Sequence, residues 1–165
     1  MPGELPKQPT ARRNFPLVRP VERRAYSVQH PGYGVCQALA LKMKFPEYWQ
    51  AFVSAHDLAG ASACVDEEHD LSGLGADLAF LTEAQANEEL TLCWPGIGVA
   101  ADGYIPVAWC SEGSGDYYYI NGNDGANGPL YRIYHDSVGP QGYDPKEAIA
   151  KVLENYEALL GYVER

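Results

Sequence analysis

The chain has 165 residues, 46% of them hydrophobic, and a formal net charge of −10. It is long enough to bury one core and too apolar for wholesale disorder. No apolar run approaches the roughly 20 residues that cross a bilayer, and the N-terminus shows no secretory apolar segment, so a cytoplasmic protein is expected.

The charge is unevenly spread. Lys7, Arg12, Arg13, Arg19, Arg23 and Arg24 are half of the twelve basic residues, and only Glu4 and Glu22 oppose them. Residues 1–24 also hold five prolines and read as a basic arm. Residues 25–165 form the expected domain, with six basic against twenty acidic side chains, a net of −14. Such a body repels nucleic acid and membranes and attracts cationic partners. Charge serving only solubility is the plainer account. Cys36, Cys64, Cys93 and Cys110 contain no CxxC pair, so buried reduced thiols are expected rather than a zinc knuckle or redox motif.

Val35, Leu39 and Met43 have helical spacing. Pro46 then opens a second helix in which Trp49, Phe52, Val53 and His56 share one face. His56, near the helix end, suits a capping or rim role better than a ligand role. Residues 59–77 read mostly as loop and include the acidic run Asp66-Glu67-Glu68. Thr82 and Gln85 form a capping box for a short helix to about Leu90.

Asp102-Gly103 has the composition of a hairpin turn between Ile97–Ala101 and Tyr104–Cys110. On the latter strand Trp109 alternates with Ile105 and Val107, so core is its expected place. Glu112-Gly113-Ser114-Gly115-Asp116 reads as a turn chosen for backbone geometry. Tyr117 and Tyr119 should share one face of the next strand, with Asp116, Tyr118 and Ile120 on the other. Of the tyrosines, Tyr118 is the expected exposed one. Asn121–Gly125 tolerates positive φ, and Leu130, Arg132 and Tyr134 alternate as in a half-buried strand. Asp144 and Pro145 start a last helix, whose apolar stripe would be Ile149, Val152, Leu153, Tyr156, Leu160 and Val163. Helices, then strands, then a helix imply an α+β fold: one twisted, mostly antiparallel sheet, with the C-terminal helix packed on it.

Reaction chemistry is weakly signalled. His56-Asp57, His69-Asp70 and His135-Asp136 fall at a helix end, in a loop and at a strand end, with no His-x₃-His spacing for a shared metal. Residues 121–127 lack the terminal Glu of a calcium loop. Ser111–Gly115 is not a nucleophile elbow, and no phosphate-binding glycine loop occurs. No cofactor and no metal are expected.

Phe45-Pro46-Glu47-Tyr48-Trp49-Gln50-Ala51-Phe52-Val53, Ile105-Pro106-Val107-Ala108, Gly115-Asp116-x-Tyr118 and Gly128-Pro129-Leu130-Tyr131 with His135 resemble motifs of the Smi/Knr branch of the SUKH superfamily, over roughly Tyr33 to Tyr162. Two positions depart from the pattern: Asp57-Leu58-Ala59-Gly60 replaces an Asn-Gly-Gly, and Tyr104 stands where Trp is common. The resemblance implies helices flanking one antiparallel sheet, and toxin neutralisation or cell-wall regulation through protein contacts. The leading expectation is therefore a non-catalytic immunity protein that occludes a basic, nuclease-like toxin. Its expected contacts are Glu112, Asp116, Tyr118 and Asp124, with Asp66, Glu67 and Glu68 as a second patch. The alternatives are a regulatory or scaffold domain and, in another class, a small metal-dependent hydrolase.

Overall fold

The computed structural model describes residues 44–164. The basic arm, the helical spacing Val35–Met43 and Cys36 lie outside the described residues. Six strands form one antiparallel sheet in sequence order: β1 (Ser62–Val65), β2 (Ala76–Phe80), β3 (Tyr104–Cys110), β4 (Tyr117–Asn121), β5 (Leu130–Ile133) and β6 (Ile149–Leu153). Around it lie the helical segments α1 (Glu47–Ala55), α2 (Glu83–Leu92), α3 (Gly96–Val99) and α4 (Pro145–Ala148), with short 3-10 turns. The class is α+β, as the order of elements implies.

The sheet is curled and buried on both faces. The larger core joins Trp49 and Phe52 of α1 to Leu78, Phe80, Val107, Tyr118, Ile120, Leu130 and Val152 of the sheet, and to Tyr156 and Leu159 beyond it. Tyr156 is its aromatic centre, with ring centroids 5.2 Å from Trp49 and 5.0 Å from Phe52. Edge-on packing of this kind adds about 1 kcal/mol per pair beyond burial. A smaller core on the other face joins Val99, Tyr119, Ile133, Val138 and Ala148. The alternation read in β4 is therefore correct, with Tyr118 and Tyr119 in different cores, but neither face is open.

Local signals became structure where the sequence carried them. Thr82 and Gln85 make the reciprocal capping box of α2. The Asp144 side chain accepts from the Lys146 N–H, with Pro145 at the start of α4. His56 caps the C-terminus of α1 and is exposed. Gly113 and Gly115 hold φ of 86° and 88°. A Cβ at Gly115 would also lie 3.2 Å from the His135 ring, so only glycine fits this turn.

Four elements differ from expectation. The segment 59–77, read as loop, contains β1 and the start of β2; their Ala and Ser content hides strands whose stability comes from pairing. Residues 97–101 are not a strand: α3 and a 3-10 turn at Ala100–Asp102 end in Gly103, left-handed at φ 87°. Gly96 allows α3 to approach α2, because a Cβ there would meet the Glu89 carbonyl oxygen at 2.4 Å. In β3 the register shifts between Pro106 and Ala108. That bulge turns Ala108 and Cys110 toward the core and leaves Trp109 40% exposed. The cysteines likewise differ: Cys110 is buried, whereas Cys64 is exposed.

The fourth difference is the largest. The expected last helix stops after one turn, and residues 149–153 pair with β5, Ile133 opposite Ile149 and Leu130 opposite Leu153. A 3-10 turn at Tyr156–Gly161 follows, capped by the Asn155 side chain, which accepts from the Ala158 N–H. Apolar residues three and four apart suit a helix, but the same residues fill a short strand and a turn when a partner strand is available. Residues 162–164 then run back along β1: the Cys64 N–H donates to the Tyr162 carbonyl at 3.0 Å and the Glu164 N–H to the Ser62 carbonyl at 2.9 Å. This arrangement buries Leu159 and leaves Leu160 36% exposed. Leu159→Ala should cost about 2–5 kcal/mol in urea unfolding, and Leu160→Ala less than about 1 kcal/mol. A continuous helix, with Leu160 in its apolar stripe, would reverse that order.

Candidate functional site

Three connections meet at one end of the sheet: β1–β2 (residues 66–75), β3–β4 (residues 111–116) and the segment following β5. Between them lies a cleft of about 380 Å³, lined by residues that include Gly75, Cys110, Glu112, Ser114, Asp116, Tyr118 and Arg132. Antiparallel pairing places it there, because Leu78 faces Cys110 and Tyr117 faces Ile133 across the strands.

Arg132 organises this end. It extends from β5 on the main-core face and is only 6% exposed. Its guanidinium donates to the Tyr118 hydroxyl at 2.8 Å and to the Gly75 carbonyl, and lies 3.7 Å from the Asp70 carboxylate. Asp70 is buried as well, and accepts from the Ser72 N–H at 2.7 Å and the Ser72 hydroxyl at 2.8 Å. A buried cation is tolerable only when its donors are answered in this way. The Arg132 Nε, however, has no hydrogen-bond partner.

A second arrangement pins the rim. The Asp116 carboxylate accepts from the His135 N–H at 3.1 Å and contacts His135 Nδ1 at 3.0 Å, while His135 Nε2 lies 2.9 Å from Asp136. The hydrogen bond to Asp116 and the nearby carboxylates raise the His135 pKa above its ordinary value. On the opposite face, burial raises the Glu89 pKa against the hydrogen bonds it receives from the Gly96 N–H and Tyr119 hydroxyl.

The expected contact residues are redistributed. Glu112 is exposed and Asp116 half-buried at the cleft. Tyr118 is fully buried, not exposed, because the β1–β2 connection and Arg132 cover it. It therefore offers no surface for a partner. Asp66, Glu67 and Glu68 are exposed on the β1–β2 connection, and Glu67 comes near the cleft: a Cβ on Gly75, a cleft residue, would lie 3.5 Å from Glu67 Cγ. Asp124 stands at the other end of β4, in the 3-10 turn after Asn121, and accepts from the Tyr131 hydroxyl at 2.9 Å. The residues missed were Asp70, Cys110, Ser114 and Arg132. The sequence held one usable signal: Arg132 is the sole basic residue between Lys44 and Lys146, and it occupies an alternating strand position.

His69-Asp70 and His135-Asp136 lie on connections at this same end of the sheet and His56-Asp57 at the end of α1, but among the described residues no group of three His, Cys, Asp or Glu side chains could hold a metal ion. The described helices include none long and apolar enough to cross a membrane.

Two measurements check the site. Asp70→Ala should cost about 3–5 kcal/mol in urea unfolding, because it strands the Arg132 charge. The exposed pair Lys151–Glu154, 2.8 Å apart, should contribute less than about 1 kcal/mol. In an NMR titration, His135 should titrate above the ordinary 6.5, and Asp116→Asn should bring it back toward that value. With a raised folded pKa, the pair's stabilisation is complete below 6.5 and is lost as pH rises through the folded value. No protein-family model, curated protein or solved structure matches this chain.

Proposed function

We propose that this chain is a cytoplasmic immunity protein, a non-catalytic module that binds a basic, nuclease-like toxin domain and occludes it. The observation that carries the reading is the acidic end of the sheet. Asp66, Glu67, Glu68 and Glu112 are exposed there on the two connections that line the cleft, and Asp136 is exposed beside them, joined to the cleft residue Asp116 through His135. The β1–β2 connection also presents Leu71 and Leu74, 56% and 58% exposed. Apolar side chains beside a charged rim suit protein recognition, in which the apolar part supplies area and the rim supplies register.

Charge sets the kind of partner. The described residues hold twenty acidic side chains and four basic ones. With Arg132 buried, Lys44, Lys146 and Lys151 are the only lysines or arginines at the surface of the described residues. That field draws in a cationic protein and repels nucleic acid. The resemblance to the Smi/Knr branch of the SUKH superfamily supports occlusion as the mode of action.

Pull-down of the tagged full chain from its native cells, at low and moderate salt, tests the reading. One basic, toxin-like polypeptide should be recovered, less of it as salt rises. Glu67→Lys with Glu112→Lys should weaken that binding about tenfold or more. Asp124→Lys, at the far end of β4, should change it less than about twofold. Recovery of housekeeping proteins alone, or unchanged binding by the folded double variant, would overturn the proposal.

A further inference from the structure

Two histidines stand at the acidic end of the sheet, and each is held against carboxylates of the rim. His69, on the β1–β2 connection, has its Nδ1 2.6 Å from Asp66 Oδ1, and its backbone N–H donates to the same oxygen at 3.2 Å. Its ring packs against Tyr162, with centroids 5.8 Å apart. His135 follows β5. Its Nδ1 lies 3.0 Å from Asp116 and its Nε2 2.9 Å from Asp136. His56 stands apart, exposed at the end of α1 beside Phe52.

The geometry of His135 selects its charge. A neutral imidazole has one N–H and can donate to one carboxylate, whereas the imidazolium donates to two. With a carboxylate oxygen at each ring nitrogen, the protonated ring is the form that fits. The β3–β4 turn is shaped to this ring: Asp116 also accepts from the His135 backbone N–H, and a Cβ on Gly115 would lie 3.2 Å from the ring. The hydrogen bond to Asp116 favours the imidazolium first, and Asp136 adds to it. Around His69 the hydrogen bond to Asp66 and the nearby Glu68 act in the same direction. Arg132 also interacts with Asp116, but its charge is constant. The rim carboxylates therefore already hold titratable cations of the chain's own.

We propose that the cationic side chains of the partner and the protons of His69 and His135 compete for the same carboxylates, Asp66, Asp116 and Asp136. The inference rests on the acidic end being the binding surface. Each imidazolium cancels one negative charge of the rim. As pH rises through the histidine pKa values, which lie above 6.5, the rings lose their charge and release the carboxylates to a guanidinium or ammonium group. Stability and affinity then run in opposite directions. The histidine pairs stabilise the fold fully below 6.5 and lose that contribution as pH rises through the folded values. Affinity for a cation is lowest where the pairs are complete. Linkage is reciprocal, so a bound cation lowers both histidine pKa values.

The test is an NMR titration of the full chain with a hexa-arginine amide peptide at fixed ionic strength, between about pH 5.5 and about pH 8, where neither arginine nor an ordinary carboxylate changes charge. Amide shifts should move on the β1–β2 connection and the β3–β4 turn. Affinity should fall about fivefold or more from the upper to the lower pH. Saturating peptide should lower the pKa of His69 and His135 and leave His56 unmoved. His69→Gln with His135→Gln should flatten the pH dependence, because glutamine keeps a donor and does not titrate, whereas His56→Gln should preserve it. Peptide bound at the rim with the same affinity at both pH values, unmoved histidine pKa values, or an unchanged pH dependence in the folded double variant would overturn the competition and leave the immunity reading to its own pull-down. No peptide binding at the rim at any pH would remove the surface on which both rest.

Discussion

The contact on which this end of the molecule depends is the one between Arg132 and the β1–β2 connection. Gly75 is 57 residues from Arg132 in sequence, yet the guanidinium from β5 holds its carbonyl. Sheet pairing alone orders β1 and β5 at a distance, with three strands between them. The arginine closes that gap from inside the curl. Because the charge is buried, the closure is demanding: Asp70, the Gly75 carbonyl and the Tyr118 hydroxyl must all be in place for the cation to be tolerated. Asp70 in turn fixes Ser72 and hence the path of the connection. The position of the acidic rim thus follows from the requirement that one buried cation be satisfied.

What could be read in the sequence was whatever is decided locally. The boundaries of β3, the Thr82–Gln85 box, the Asp144–Pro145 start and the glycines at 113 and 115 all depend on a few neighbouring residues. What could not be read depends on partners distant in the chain. β1 and β2 are strands because they pair, and their Ala-rich sequences show little of it. Residues 149–153 carry a pattern that fits either a helix or a strand, and β5 decides the matter. Trp109 is a middle case: Pro106 within a central strand is itself a bulge signal, and a bulge is enough to turn Trp109 outward. At the site, the carboxylates of the rim were legible as charge, but their convergence was not. Tyr118 illustrates the reason. Its alternation with its neighbours was plain, but its burial depended on a connection from more than forty residues earlier.

The pairing of residues 162–164 with β1 bears on how the chain is made. β1 is synthesised about a hundred residues before the segment that covers its outer edge. During that interval its free N–H and C=O groups can pair with any other strand that comes near. A sheet built in sequence order can grow strand by strand as it leaves the ribosome, but this one gains the pairing along its first edge only when residues 162–164 emerge. The protein is thus vulnerable to misassociation early in its life, and the vulnerability ends only when the two extremities of the described fold meet.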